Sequence, residues 1–140
     1  MHTTVGEIQA MLVEHGAEAI GVRYEHRQPV GVHFQLPTAQ GVRSFAMPVN
    51  VEGAAALLAR QSKAGQLKKA APRGGWGTPE QAARVAWRVI KDWLAAQLAL
   101  IEAEMATMEQ VMLPYLLVEG GQTLYEQYVS RALEAADRDR

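Results

Sequence analysis

The spacing of apolar residues along this chain switches from helical to alternating and back again, and each switch marks an element. Ile8, Met11 and Leu12 fall at helical intervals. Thr4-Val5-Gly6-Glu7 before them has the hydroxyl-then-carboxylate spacing of a capping box. Gly16 can close the helix in a left-handed conformation, so a helix is expected over about residues 5–15. Then the period drops to two. Ile20, Val22 and Tyr24 alternate with Gly21, Arg23 and Glu25. After a turn at His26-Arg27-Gln28-Pro29, Val30, Val32, Phe34 and Leu36 alternate with Gly31, His33 and Gln35. A second turn, Pro37 to Gly41, leads into Val42–Val49, where Phe45, Met47 and Val49 share one side. Three short strands joined by short turns make an antiparallel meander, apolar on one face and polar on the other.

Helical spacing then returns. Asn50 caps a helix through Ala54, Leu57 and Leu58 to about Gln61. Ser62–Gly77, rich in Lys, Gly and Ala and carrying Pro72, reads as a mobile basic loop. Thr78-Pro79-Glu80-Gln81 opens a long helix, with threonine at the N-cap and proline in the first turn. Its stripe of Ala83, Ala86, Trp87, Ile90, Leu94, Leu98, Ile101 and Met105 predicts about residues 79–105, roughly 38 Å. Thr107-Met108-Glu109-Gln110 starts a short helix that must end near Pro114. Glu119-Gly120-Gly121 is a turn, and Thr123-Leu124-Tyr125-Glu126 opens a last helix through Tyr128, Ala132 and Leu133, with a frayed tail from Asp137. The expected fold is one α+β domain over residues 1–140: an N-terminal helix, a three-stranded antiparallel meander, then four helices.

Composition narrows the chemistry. With 140 residues, 49% of them apolar, the chain can bury a real core. It has no cysteine, which excludes disulfides, thiolate zinc sites and a cysteine nucleophile and fits a reducing compartment. No basic and apolar leader pattern is visible at the N-terminus. The most apolar run, Leu94 to Leu100, is about a third of a membrane span. A cytoplasmic protein without a membrane partner is expected.

The net charge of −1 conceals a strongly uneven distribution. Residues 1–59 hold three basic and five acidic side chains, and residues 92–140 hold three basic and nine acidic. Between them, residues 60–91 hold eight basic side chains against Glu80 alone. A polyanion responds to that local field rather than to the net charge. Arg84, Arg88 and Lys91 follow at i, i+4 and i+7, which places them on one helix face. The loop before it supplies Lys63, Lys68, Lys69 and Arg73, then Trp76 between glycines. Cations on a helix face beside a basic loop with an aromatic are what phosphate contacts and base stacking require. Single strands suit the set better than duplex, since no helix-turn-helix or zinc module is present. Arg23, His33, Gln35 and either Arg43 or Ser44, according to register, extend the polar sheet face.

Other chemistry finds less support. His26 and His33 flank the first hairpin beside Glu25 and would be the pair for a metal-dependent hydrolase, yet no HxH, HExxH or Asp-rich ligand spacing occurs. There is no Gly-x-Ser-x-Gly, Walker A or GxGxxG sequence. Gly74, Gly75 and Gly77 precede a helix as a phosphate loop would, but without a preceding strand or a following Lys-Ser/Thr. Neither a cofactor nor a metal is expected.

The segment from Arg84 through Trp87, Trp93 and Ile101 to Met105, followed by Leu113-Pro-Tyr-Leu-Leu and Gly121-Gln-Thr-Leu-Tyr-Glu, resembles a family of small proteins from bacterial phages, prophages and other mobile elements. The likeness covers most of the chain and supplies a setting, with no catalytic residues. It implies work on single strands in replication or recombination, or the blocking of a host system. The β-β-β-α order is also similar in topology to single-strand annealing proteins that assemble into rings, a fold-level analogy. The leading expectation is a non-enzymatic single-stranded-DNA-binding protein. Its rival is a protein-interaction module, a homo-oligomer or an adaptor docking on a host protein, with Met108, Met112 and Tyr115 as the contact surface.

Overall fold

The computed structural model describes residues 2–65 and 78–139. Helix α1 (His2–Glu14) is followed by strands β1 (Ala19–Glu25), β2 (Gln28–Thr38) and β3 (Gly41–Pro48). Then come helices α2 (Val51–Lys63), α3 (Pro79–Glu102), α4 (Met108–Met112) and α5 (Leu124–Arg138). The α+β class, the element order and the long helix are those expected from the sequence. The sheet is a plain meander, β1-β2-β3, antiparallel throughout.

Register decides which side chains meet the core. Val32 lies opposite Val22 and Met47, and Phe34 opposite Ile20 and Phe45. These residues form one sheet face, with the Phe34 and Phe45 rings stacked at 5.7 Å. Helices α1 and α3 cover that face, burying Ile8 and Leu12 from one and Trp87, Leu94 and Leu98 from the other. Trp87 is fully buried, and its indole N–H donates to the Pro29 carbonyl at 2.9 Å. Burying an indole is worth roughly 4–6 kcal/mol as an upper figure, and the hydrogen bond fixes its orientation. The paired residues on the other face, Gly21, Arg23, His33, Gln35 and Ser44, look away from this core.

Several local expectations give way to specific interactions. Helix α1 begins at His2, so Thr4 lies inside it; Glu7, the carboxylate assigned to a capping box, forms an ion pair with Lys91. Gly16 does close the helix, at φ +97°. The first hairpin turns on two residues rather than four: His26 and Arg27 both have positive φ (49° and 65°), the form that matches strand twist. Pro29 belongs to β2, near a bulge between Arg23 and Tyr24 that turns Tyr24 out to 55% exposure. The long helix stops at Glu102. There Glu104 adopts φ +61°, Met105 N–H donates to Leu100 O, and Glu104 N–H donates to Ile101 O, a Schellman closure without glycine. Met105 is consequently 75% exposed and outside the apolar stripe.

Of the segment read as a loop, Ser62 and Lys63 are the last residues of α2. Residues 66–77 lie outside the described residues.

Beyond α3 the chain returns to the edge of the sheet. Thr107 and Gln110 form a complete capping box at the start of α4. A 3₁₀ turn, Leu113–Tyr115, follows; Trp93 meets Tyr115 edge-on at 5.7 Å between ring centroids. Leu116 then pairs with Phe45, and Leu117 N–H donates to Ser44 O at 2.9 Å, so this segment shields the free edge of β3. A turn through Gly120 and Gly121, both at positive φ, brings Thr123 back against Leu117 and launches α5. Thr123 and Glu126 close a second full capping box. Helix α5 continues to Arg138, past the point where fraying was expected.

Candidate nucleic-acid interface

Small residues let α2 and α3 approach closely. Helix α2 buries Leu58 in its last two turns, and α3 buries Ala82, Ala83 and Ala86 in its first two turns, ahead of Trp87, Leu94 and Leu98. Arg60 and Lys63 stand in these same turns of α2, and Arg84 in these same turns of α3. Alanines on the inner face need the outer face of α3 to carry its polarity, and Arg84 and Arg88 are both exposed there.

The charges on this end are largely unspent. Glu80 and Asp92 stand four residues from Arg84 and Arg88, yet among the described residues no carboxylate oxygen comes within 4.0 Å of Arg60, Lys63, Arg84 or Arg88. Lys91 differs: it is half-buried and paired with Glu7 across the α1–α3 contact. A further contact, His15 Nε2 to Glu102 Oε1 at 2.8 Å, ties the end of α1 to the end of α3. The stripe predicted as three equivalent cations thus divides into two outward arginines and one structural lysine. Arg60, counted in the basic stretch but left out of the predicted site, belongs with the outward set. Its signal was the i, i+3 spacing with Lys63. Lys68, Lys69, Arg73 and Trp76 lie outside the described residues.

The polar sheet face holds Arg23, His33, Gln35 and Ser44 together; the register pairs Arg43 with Leu36 on the opposite face instead. His33 stacks across Gly21, where any side chain would run into the imidazole ring. Between this face and the start of α5 lies a groove of about 540 Å3, walled by Arg23, His33, Met47, Tyr115, Tyr125 and Glu126. The Glu126 carboxyl is held below its ordinary range, chiefly by the Thr123 backbone N–H it accepts, then by the Thr123 hydroxyl, with Arg23 adding attraction. The Glu109 carboxyl is lowered similarly by the Ala39 N–H, which donates to it at 2.9 Å and ties α4 to the second hairpin turn.

The hydrolase alternative loses its geometry. His26 sits in the hairpin turn, whereas His33 lies opposite Gly21, five residues back along β1, about 16 Å at 3.3 Å per residue. Among the described residues no three His, Asp or Glu side chains converge as metal ligands would. The interaction surface expected at Met108, Met112 and Tyr115 is also corrected: Met112 is fully buried, and Met108 and Tyr115 pack against the core. The exposed apolar residues instead include Tyr125, Tyr128 and Leu133 on α5, which the sequence marked as a helix face without revealing that the other described residues leave it exposed. Among the described residues, no helix is long and apolar enough to cross a membrane.

No protein-family model matches this sequence, and no curated protein or solved structure matches it either.

Proposed function

We propose that this protein binds single-stranded nucleic acid without catalysing a reaction, through the end of the molecule where α2 meets α3. The observation that carries the reading is the outward set Arg60, Lys63, Arg84 and Arg88, which no carboxylate neutralises among the described residues. The sequence joining the two helices adds Lys68, Lys69, Arg73 and Trp76 between them. Guanidinium and ammonium groups at these positions contact successive phosphates, and the indole supplies a stacking surface indifferent to base identity. Such binding draws most of its energy from counterion release, about 0.7 per neutralised phosphate on single strands. In a phage or mobile element, a protein of this kind serves replication or recombination.

Fluorescence anisotropy of a labelled single-stranded oligonucleotide tests the reading. Saturable binding that weakens steeply as salt rises is the expected result. Absence of binding at low salt would overturn it and leave the basic end as a protein-facing patch.

A further inference from the structure

The outer face of the sheet is paved with small residues where it faces the start of α5. Gly31 lies between Arg23 and Pro48 in the register, and His33 between Gly21 and Ala46. Glycine at 31 lets Arg23 lie down across β2, since a Cβ there would stand 3.9 Å from the Arg23 Nε. The guanidinium thus lines the groove of about 540 Å3 from the sheet side. Tyr125 and Glu126 line it from the first turn of α5.

The two charges face each other without touching. Among the described residues no Glu126 oxygen comes within 4.0 Å of an Arg23 nitrogen, and Arg23 makes only a loose contact with Glu25, at 3.8 Å. The Glu126 carboxyl, lowered chiefly by the Thr123 N–H and then by its hydroxyl, also feels the pull of Arg23. Both groups keep hydrogen-bonding capacity. A carboxylate has about four lone-pair sites, of which the Thr123 N–H fills one at 3.0 Å, and a guanidinium offers a fork of N–H donors.

We propose that this groove takes a guanine base, with Glu126 accepting from its N1–H and 2-amino group and Arg23 donating to O6 on the same ring edge. Three features select it. Arg23, Glu25 and Glu126 sum to −1, so the groove repels phosphate and suits an uncharged group. The floor of Gly31 and Ala46 is shallow enough for a flat ring, and Tyr125, 61% exposed, supplies an aromatic face beside it. Guanine, alone among the common bases, sets two adjacent N–H donors beside an acceptor, the complement of a carboxylate facing a guanidinium. Adenine and cytosine offer a single amino group there, and uracil a single ring N–H.

That the base belongs to a strand rests on the function proposed above. Arg84 and Arg88 flank Trp87, whose indole is fastened to Pro29, and Gly31 follows two residues on. These exposed arginines and the groove share one end of the sheet, on opposite faces. A strand held on α3 delivers its base round that end.

Neutral nucleosides test the groove by itself, since without phosphate the basic helix faces contribute nothing. In saturation-transfer NMR on the full chain, guanosine should bind about tenfold tighter than adenosine, cytidine or uridine. Glu126→Gln should abolish that preference and leave the start of α5 folded, because Gln110 closes the equivalent box on α4 through its amide oxygen. Arg23→Gln should weaken guanosine as well. Guanosine that does not bind, four nucleosides that bind alike, or a preference that survives Glu126→Gln would each overturn the inference. Failure of the proposed function reads differently. Selective guanosine binding without any binding of a single-stranded oligonucleotide would keep the guanine site and remove the strand. An oligonucleotide bound by a protein that ignores guanosine would remove the guanine site and keep the basic helix faces.

Discussion

Helices α3 and α5 carry the same kind of pattern and meet opposite fates. Each has an N-cap threonine, an acidic residue in its first turn and a continuous apolar stripe. On α3 that stripe disappears beneath the sheet and α2, with Trp87, Leu94 and Leu98 buried and the indole hydrogen-bonded to Pro29. On α5 the tyrosines and Leu133 remain in solvent. Amphipathicity therefore states that a helix face wants an apolar partner, and says nothing about whether the same chain provides it. The polar faces differ as well. That of α3 presents Arg84 and Arg88, which no carboxylate approaches within 4.0 Å among the described residues. That of α5 mixes both signs.

The comparison breaks most visibly at the two stripes. Trp87→Ala should cost about 3–5 kcal/mol in urea unfolding, from lost burial, a cavity and an unpaired Pro29 carbonyl. Leu133→Ala should stay within about 0.5 kcal/mol. Equal costs would mean that α5 packs on the body in solution. A smaller effect separates the two helix starts. Thr123→Ala removes a reciprocal capping box and should cost about 1 kcal/mol. Because α5 lacks core contacts, the loss should appear as faster amide exchange in its first turn, leaving α3 protected.

Smallest is the acid response. The folded Glu126 carboxyl titrates below its ordinary value of 4.5. Its stabilisation of α5 is therefore complete above that value and fades as pH falls through the lower folded one. Far-UV ellipticity should lose a small α5 component in that window, and Glu126→Gln should flatten the loss.

Much of this was legible beforehand. Thr78, Thr107 and Thr123 announced their helices because a hydroxyl before a proline or an i+3 carboxylate or amide acts locally, within one turn. Alternation in β2 and β3 put Val32, Phe34, Leu36, Phe45 and Met47 in the core, where they are. The errors arise where a distant or unusual interaction overrides the local signal. Met105 looked like part of a stripe, but Glu104 took a left-handed conformation that glycine usually fills. Tyr24 was turned over by a bulge, and Glu7 was claimed by Lys91 on another helix. At the candidate interface, spacing located Arg84 and Arg88 on one face, while the diversion of Lys91 to Glu7 depended on how α1 lies beside α3. Nothing in the pattern of α5 could reveal that its apolar side would be left bare.

The most direct test of the account compares wild type with the double variant Arg84→Ala, Arg88→Ala in the anisotropy titration, at several salt concentrations. Both arginines are exposed, so the fold should survive with its melting temperature unchanged. Affinity at low salt should drop about tenfold or more, and the slope of log affinity against log salt should shrink by about 1.4, two phosphates at about 0.7 each. A double variant that binds like wild type, with the same slope, would contradict the assignment of this helix face to nucleic acid.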